Sequence, residues 1–387
     1  MRPGKRACIA ILIAAIGTAV PTYAHADDDD GDRIAGFTHR FEYTGEGFAD
    51  VHGGMRRGGV YTGLAHVSFE RTWSKWFLHG DVYAPYGKSF NGRYVGGFAD
   101  VSNIDAVHQV RVHELWAERS LGRASLRVGL LAADTEFWGP DTANLFISSA
   151  FGAPSVVSGN LPNSPIYPQG VLGARLAFDL GHAGTLRMAV LDGDGGDPSS
   201  VNRHGLHISL NQGALLLAEY QPVFGSGGKQ KTSVRLGTYY HTGDFLDVHG
   251  DSVRGDFGFI GSVDRAIDAR LSVFARVGAA LDDRSTVPWS MEVGFNLTSV
   301  FRAGDKLGVG MAYVDLNRSP AVTGTATPLR HEIILESTLD WPINRWLDLQ
   351  PDVQYIVDPG GTANARNALV IGLRVSLHNL ARVGILR

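Results

Sequence analysis

The sequence holds one cysteine, Cys8, and none beyond it, so disulfides cannot hold the rest of the chain together. Past the first 26 residues, no apolar run approaches the roughly 20 residues that a membrane-crossing helix needs, which excludes a helical membrane bundle. A basic excess is also missing: 35 Lys and Arg stand against 39 Asp and Glu, a net charge of −4. Nucleic acid is therefore not an expected partner, because it calls for a concentrated basic face. No Pro/Ser-rich run or charge block divides the chain into domains. No His-Glu-x-x-His, Gly-x-Ser-x-Gly or phosphate-cradling loop is present, and the 14 histidines show no metal-ligand spacing. Neither an enzyme, nor a cofactor, nor a metal centre is expected.

What is present starts with an address. Arg2, Lys5 and Arg6 precede an apolar stretch from Ile9 to Val20, and Ala24-His25-Ala26 supplies a small-x-small cleavage site. Residues 1–26 thus read as a secretory signal peptide, whose removal takes three basic residues and lowers the net charge from −4 to −7. Residues 27–35, opening with Asp27 to Asp30, are expected to be a disordered acidic start. Residues 36–387 are expected to form one domain.

That domain reads as strands. In the stretch His331–Leu377, Ile333, Leu335 and Leu339 alternate with Glu332, Glu336, Thr338 and Asp340. Further on, Val353, Tyr355, Ile371 and Leu373 alternate with Asp352, Gln354, Gly372 and Arg374. A period of two over such lengths means β-strands. Sixteen segments carry this signature, provided that Gly205–Phe224 is one bulged strand, and an even count is what bacterial single-chain barrels show. The connections alternate in length. Arg71–Lys75, Gly122–Arg123, Gly181–Gly184, Gly225–Lys231, Asp268–Arg270, Arg302–Asp305 and Asn344–Trp346 are short. Tyr86–Gln109, Trp138–Gly170, Gly193–His204, Asp244–Arg254 and Asn317–Arg330 are longer. A soluble sandwich gives no reason for such parity. The expected fold is therefore all-β, a transmembrane antiparallel β-barrel of about 16 strands with long outside loops and short periplasmic turns. It would sit in the outer membrane of a Gram-negative bacterium, in contact with its lipid.

If the apolar faces meet lipid, the opposite faces line the lumen. Those faces mix both signs: Arg127, Arg175, Arg187, Arg235, Arg276 and Arg374 against Glu292, Glu332, Glu336, Asp348 and Asp352. A single-sign ring would suit an ion or a phosphate; a mixture suits a neutral, hydroxyl-rich solute. The loop Trp138–Gly170 carries Leu145, Phe146, Ile147 and Phe151, an apolar cluster that an exposed loop does not need. It is expected to fold into the barrel mouth and narrow it. The candidate pore-lining and solute-contacting residues are Glu114, Trp116, Glu118, Arg127, Asp134, Glu136, Trp138, Arg276, Glu332, Asp352 and Arg374, with Trp116 able to stack on a sugar face. Glu114 and Glu118 lie about 13–14 Å apart on one strand, too far for a glycosidase pair. In Asp192-Gly193-Asp194-Gly195-Gly196-Asp197 the bidentate position of a calcium loop falls on Arg203, so this reads as an acidic hairpin loop.

Several stretches together resemble the OprB-type carbohydrate-selective porins. They are Glu114-Leu115-Trp116-Ala117-Glu118, Leu126-Arg127-Val128-Gly129, Asp134-Thr135-Glu136-Phe137 and Ser149-Ala150-Phe151-Gly152-Ala153-Pro154. Tyr167-Pro168, Gly237-Thr238-Tyr239-Tyr240-His241-Thr242-Gly243 and the segment from Leu271 to Gly278 continue the pattern, as does the closing stretch. The resemblance implies a 16-stranded barrel that passes small neutral sugars by diffusion, without catalytic residues. Such barrels usually end on an aromatic residue, whereas here the last strand continues from His378 to Arg387. A general porin, or a non-conducting barrel for envelope structure or polysaccharide export, are the alternatives. A homotrimer is expected by analogy with other porins.

Overall fold

The computed structural model describes residues 32–34, 37–224, 232–326, 328–363 and 365–378. The expected signal peptide, Asp27 to Asp30, the connection Gly225–Lys231 and the run after His378 lie outside the described residues.

The strands are β1 (Asp32–Ile34), β2 (Phe37–Gly54), β3 (Gly58–Trp73), β4 (Trp76–Tyr86), β5 (Arg111–Leu121) and β6 (Ala124–Leu131). They continue with β7 (Val171–Asp179), β8 (Thr185–Asp192), β9 (Ala214–Gln221), β10 (Thr232–Leu246), β11 (Ser252–Ala266) and β12 (Leu271–Ala280). The last five are β13 (Trp289–Thr298), β14 (Lys306–Asp315), β15 (His331–Asn344), β16 (Leu347–Val357) and β17 (Arg366–Leu377). From β2 to β17 each strand pairs antiparallel with the next, and β17 pairs with β2, Leu377 opposite Tyr43, so the sheet closes. This is a 16-strand barrel, as expected. The short β1 pairs with the start of β2, so Asp32–Ile34, within the acidic start, is extended and hydrogen-bonded.

One strand differs from the sequence reading. Gly205–Phe224 is not a single bulged strand: the ladder holds only Ala214–Gln221, and residues 205–213 join the preceding loop. Asp192 explains this, because its carboxylate accepts the amides of Ser209 and Leu210 that a ladder would have used. Leu210 and Gly213 also have positive φ, 54° and 91°, away from the extended region of a regular strand.

Side chains alternate across the wall. Leu115, Val128, Val190, Phe259, Val277, Leu335, Val353 and Ile371 are exposed on the outside, while Glu118, Arg127, Arg175, Arg187, Glu219, Arg276 and Glu336 are buried inside. Trp73 and Trp341 are exposed near the short-turn end, and Tyr61 and Trp289 near the other. An apolar outer band with aromatic residues at both rims suits a bilayer. Two apolar clusters fill part of the interior, built from inward wall residues such as Phe48, Phe274, Ile334 and Tyr239 and from residues of two inner loops.

Candidate functional site

Two connections at the long-loop end fold into the lumen: 132–170, between β6 and β7, and 87–110, between β4 and β5. The sequence suggested the first and missed the second. The overlooked signal is Phe90, Val95 and Val101, which are buried although they sit in a connection.

An irregular loop inside a barrel has backbone groups that no ladder satisfies, and burying them unpaired is costly. Wall side chains meet that demand. For 132–170, Glu336 accepts the amides of Ile147 (2.6 Å) and Ser148 (3.0 Å). Asp264 accepts both the amide and the hydroxyl of Thr142, and Glu219 accepts the amide of Trp138. In the opposite polarity, Arg276 donates to the carbonyls of Gly152 and Ala150, and Gln350 to that of Leu145. Phe146 and Phe151 stack with ring centroids 4.4 Å apart and close on Phe274 of the wall. For 87–110, Glu332 accepts the amides of Phe98 (2.6 Å), Ala99 (2.9 Å) and, from another loop, Gly360 (2.5 Å). Gln354 donates to Val101, and Arg374 reaches both Asn103 and Glu46. The two loops also hold each other, the Asn103 amide donating to Ile147 and the Ser149 amide to Asp100.

The side of the wall formed by β5 to β10 carries a continuous charge ladder. Glu118 of β5 pairs with Arg127 of β6 (2.7 Å) and Arg175 of β7 (2.9 Å). Glu136, carried by the inner loop, pairs with Arg175 (2.7 Å), Arg127 (3.4 Å) and Arg187 of β8 (3.5 Å). Glu219 of β9 joins Arg187 to Arg235 of β10, both at 3.2 Å. Four guanidiniums thus face three carboxylates, one of them delivered by the loop. Glu118, Glu136 and Arg235 keep side-chain exposures of 11%, 11% and 18%, whereas Arg175 and Arg187 keep only 1% and 3%.

The expected site residues divide into two groups. Glu114, Trp116, Glu118, Arg127, Asp134, Glu136 and Trp138 gather around this ladder and the root of loop 132–170. Glu114 accepts the amide of Ala132, where the loop leaves β6; Asp134 accepts that of Tyr167, near its return. Loss of hydration pushes the Asp134 carboxyl up to about 6. Stacking of a sugar on Trp116 would need an open ring face. Here Arg127 lies over one face at 3.7 Å, His79 stacks at 4.8 Å, and the residue is 3% exposed. Trp138 is likewise buried. The second group, Arg276, Glu332, Asp352 and Arg374, anchors the inner loops from β12, β15, β16 and β17; Asp352 does so through Gln354, which donates to it. Arg175, Arg187, Arg235 and Glu219 complete the ladder. The three arginines were legible as inward-facing; Glu219 was concealed by the overlong strand.

Residues 65–378 match the family described as carbohydrate-selective porin, OprB family. The chain belongs to that family. It is an outer-membrane porin whose solutes are sugars. The high-pH structure of Pseudomonas putida OprB is similar, with 20% identity, a TM-score of 0.79 and coverage of 89% of this chain and 94% of that one. The outer-membrane channel DcaP of Acinetobacter baumannii is similar at 12% identity and a TM-score of 0.56, covering 90% and 99%. OmpT of Vibrio cholerae is similar at 11% identity and a TM-score of 0.51, again over 90% and 99%. These likenesses establish the barrel fold. No curated protein matches the chain.

Proposed function

We propose that the protein passes small neutral sugars by passive diffusion, through a constriction between loop 132–170 and the wall of β5 to β10. The observation that carries this reading is the ladder of four arginines and three glutamates, with Glu136 placed by the loop against three of the four guanidiniums. Fixed donors and acceptors side by side can replace the water around a sugar's hydroxyls without favouring either ion sign. Glu118, Glu136 and Arg235 keep part of their surface open and are the solute contacts in this reading; the more deeply buried members position them. Export by the signal peptide 1–26 and assembly as a homotrimer complete the proposal, the latter checked by native mass spectrometry in mild detergent.

The test is swelling of liposomes containing the refolded protein, in a panel of neutral sugars, sugar acids and size-matched polyols and amino acids. Faster entry of neutral sugars is expected. Equal rates for all solutes of one size would replace this reading with a general porin, and absence of swelling with a non-conducting barrel.

A further inference from the structure

A second cluster lies on the inner wall, on the other side of Trp116 from the arginine ladder. His79 and Asp81 project inward from β4, and Glu114 projects from β5; all three are buried, and one ligand atom from each lies within 4.8 Å of the others. The His79 Nε2 is 3.0 Å from Asp81 Oδ2. That is close to the separation of two ligands held at about 2.0–2.2 Å by one tetrahedral ion.

Three features make this more than an acidic patch. First, the register places Asp81 directly opposite Glu114, two carboxylates across a strand pair, an arrangement that destabilises a sheet unless a cation offsets it. Second, the ladder is irregular at this point: Asp81 pairs with Glu114 but Val82 pairs with Val112, so His113 is the extra residue of a bulge. Bulges re-aim side chains, and here His113 and Glu114 are both buried although they are consecutive. Third, Glu114 Oε1 is engaged by Ala132, while Oε2 is buried without a hydrogen-bond partner. Arg127 is near, but its guanidinium pairs with Glu118 and Glu136 and covers Trp116. Outside the three, His66 Nε2 binds the remaining Asp81 oxygen at 2.9 Å, and its other nitrogen meets Glu42 at 3.3 Å. A carboxylate fixed by an outer imidazole is the kind of support that metal ligands use.

We propose that His79, Asp81 and Glu114 bind one divalent transition cation of the zinc type, with His66 as the outer support. One imidazole and two carboxylates suit a borderline cation better than calcium, which takes oxygen ligands alone. The ion would join β4 to β5 beside Ala132, the hinge from which loop 132–170 departs. It would therefore stiffen the root of the constriction.

The experiment is calorimetric titration of the detergent-folded full chain with Zn2+, after chelator treatment, alongside absorbance with Co2+. One saturable site is expected, with affinity at least tenfold weaker in Glu114→Gln and His79→Gln and weakened by roughly 10–100-fold in His66→Asn. In Glu114→Gln the side-chain amide oxygen can still accept the Ala132 amide, so this variant retains the loop root; heat-modifiable gel migration reports folding. Anomalous diffraction at the zinc edge on wild-type crystals needs no variant, and a peak among the three side chains is expected. Absence of saturable binding, wild-type affinity in both Gln variants, or a peak elsewhere in the molecule would overturn the proposal. So would Ca2+ binding as tightly as Zn2+ with no effect of His79→Gln. Sugar flux plays no part in these readouts, so the sugar reading stands or falls separately.

Discussion

Glu332→Ala tests whether the inner loops are held by the wall's carboxylates. The native carboxylate is 0% exposed and accepts three backbone amides, from Phe98, Ala99 and Gly360. Each orphaned buried donor costs about 1–3 kcal/mol, so the three together set an upper bound of about 3–9 kcal/mol. The barrel itself does not depend on this side chain, because β15 keeps its backbone pairing with β14 and β16. The cheaper relaxation is for loop 87–110 to leave the wall for water, giving up the Gln354 contact to Val101 and the Glu46 contact to Ser102. The variant should therefore fold, with normal heat-modifiable migration, but conduct more current per channel. Trypsin should cut after Lys88 or Arg93 at least tenfold faster than in the wild type. Glu332→Gln keeps one acceptor oxygen and should fall between the two. Wild-type conductance together with wild-type proteolysis in Glu332→Ala would refute the anchoring argument.

Arg276→Met should leave Glu292 as a buried, uncompensated carboxylate, both side chains of the pair being 0% exposed. A loss of about 3–5 kcal/mol is expected, seen as a lower thermal midpoint that Arg276→Met/Glu292→Met restores in part, the carbonyls of Gly152 and Ala150 still lacking their donor. Glu136→Gln removes one of three carboxylates from a ladder with four arginines, so zero-current potentials in a salt gradient should shift toward anion preference; no shift would place the ladder away from the ion path. Asp100 sits where the two inner loops meet, and lost hydration, with Asp105 nearby, pushes it up from 3.8 to about 6. Because the folded value is raised, its favourable contribution is complete below about pH 4 and is lost as pH rises to about 6 and beyond. Hydrogen exchange of amides in 87–110, corrected for intrinsic rates, should show more protection at pH 5 than at pH 7, with a smaller difference in Asp100→Asn; equal protection would refute the assignment.

The fold was legible because barrel strands are written in period two. Each of the sixteen segments read from the sequence overlaps one observed strand, with most limits displaced by no more than three residues. Larger displacements have local chemical causes. The first half of Gly205–Phe224 loses its amides to Asp192, and β6 stops at Leu131 because the amide of Ala132 turns to Glu114. The site was legible only in part. Inward direction can be read from alternation, but partners across the lumen cannot: Glu332 meets Phe98 and Ala99, more than 230 positions away in sequence. Nor could the spacing of histidines suggest His79, Asp81 and Glu114, since register, not sequence distance, brings Glu114 opposite Asp81.

The loops also alter what the lumen charges mean. On alternation alone, mixed signs on the inner face describe the solute. Yet Glu332 and Glu336 spend their oxygens on loop amides, Glu219 spends one of its two in the same way, and Arg276 donates to loop carbonyls. These acids and bases describe the loops. A strand's own backbone groups are used up by its neighbours, so an inward charge is satisfied either by a side chain along the wall, as in the ladder and in Arg276–Glu292, or by something that crosses the lumen. An irregular loop, with amides that no ladder uses, is the complementary object. In the proposed reading, selectivity therefore falls to the few ladder groups left partly open, Glu118, Glu136 and Arg235. Two acids beside one base still offer both signs to a neutral solute, on a far smaller set of residues than the alternation alone would nominate.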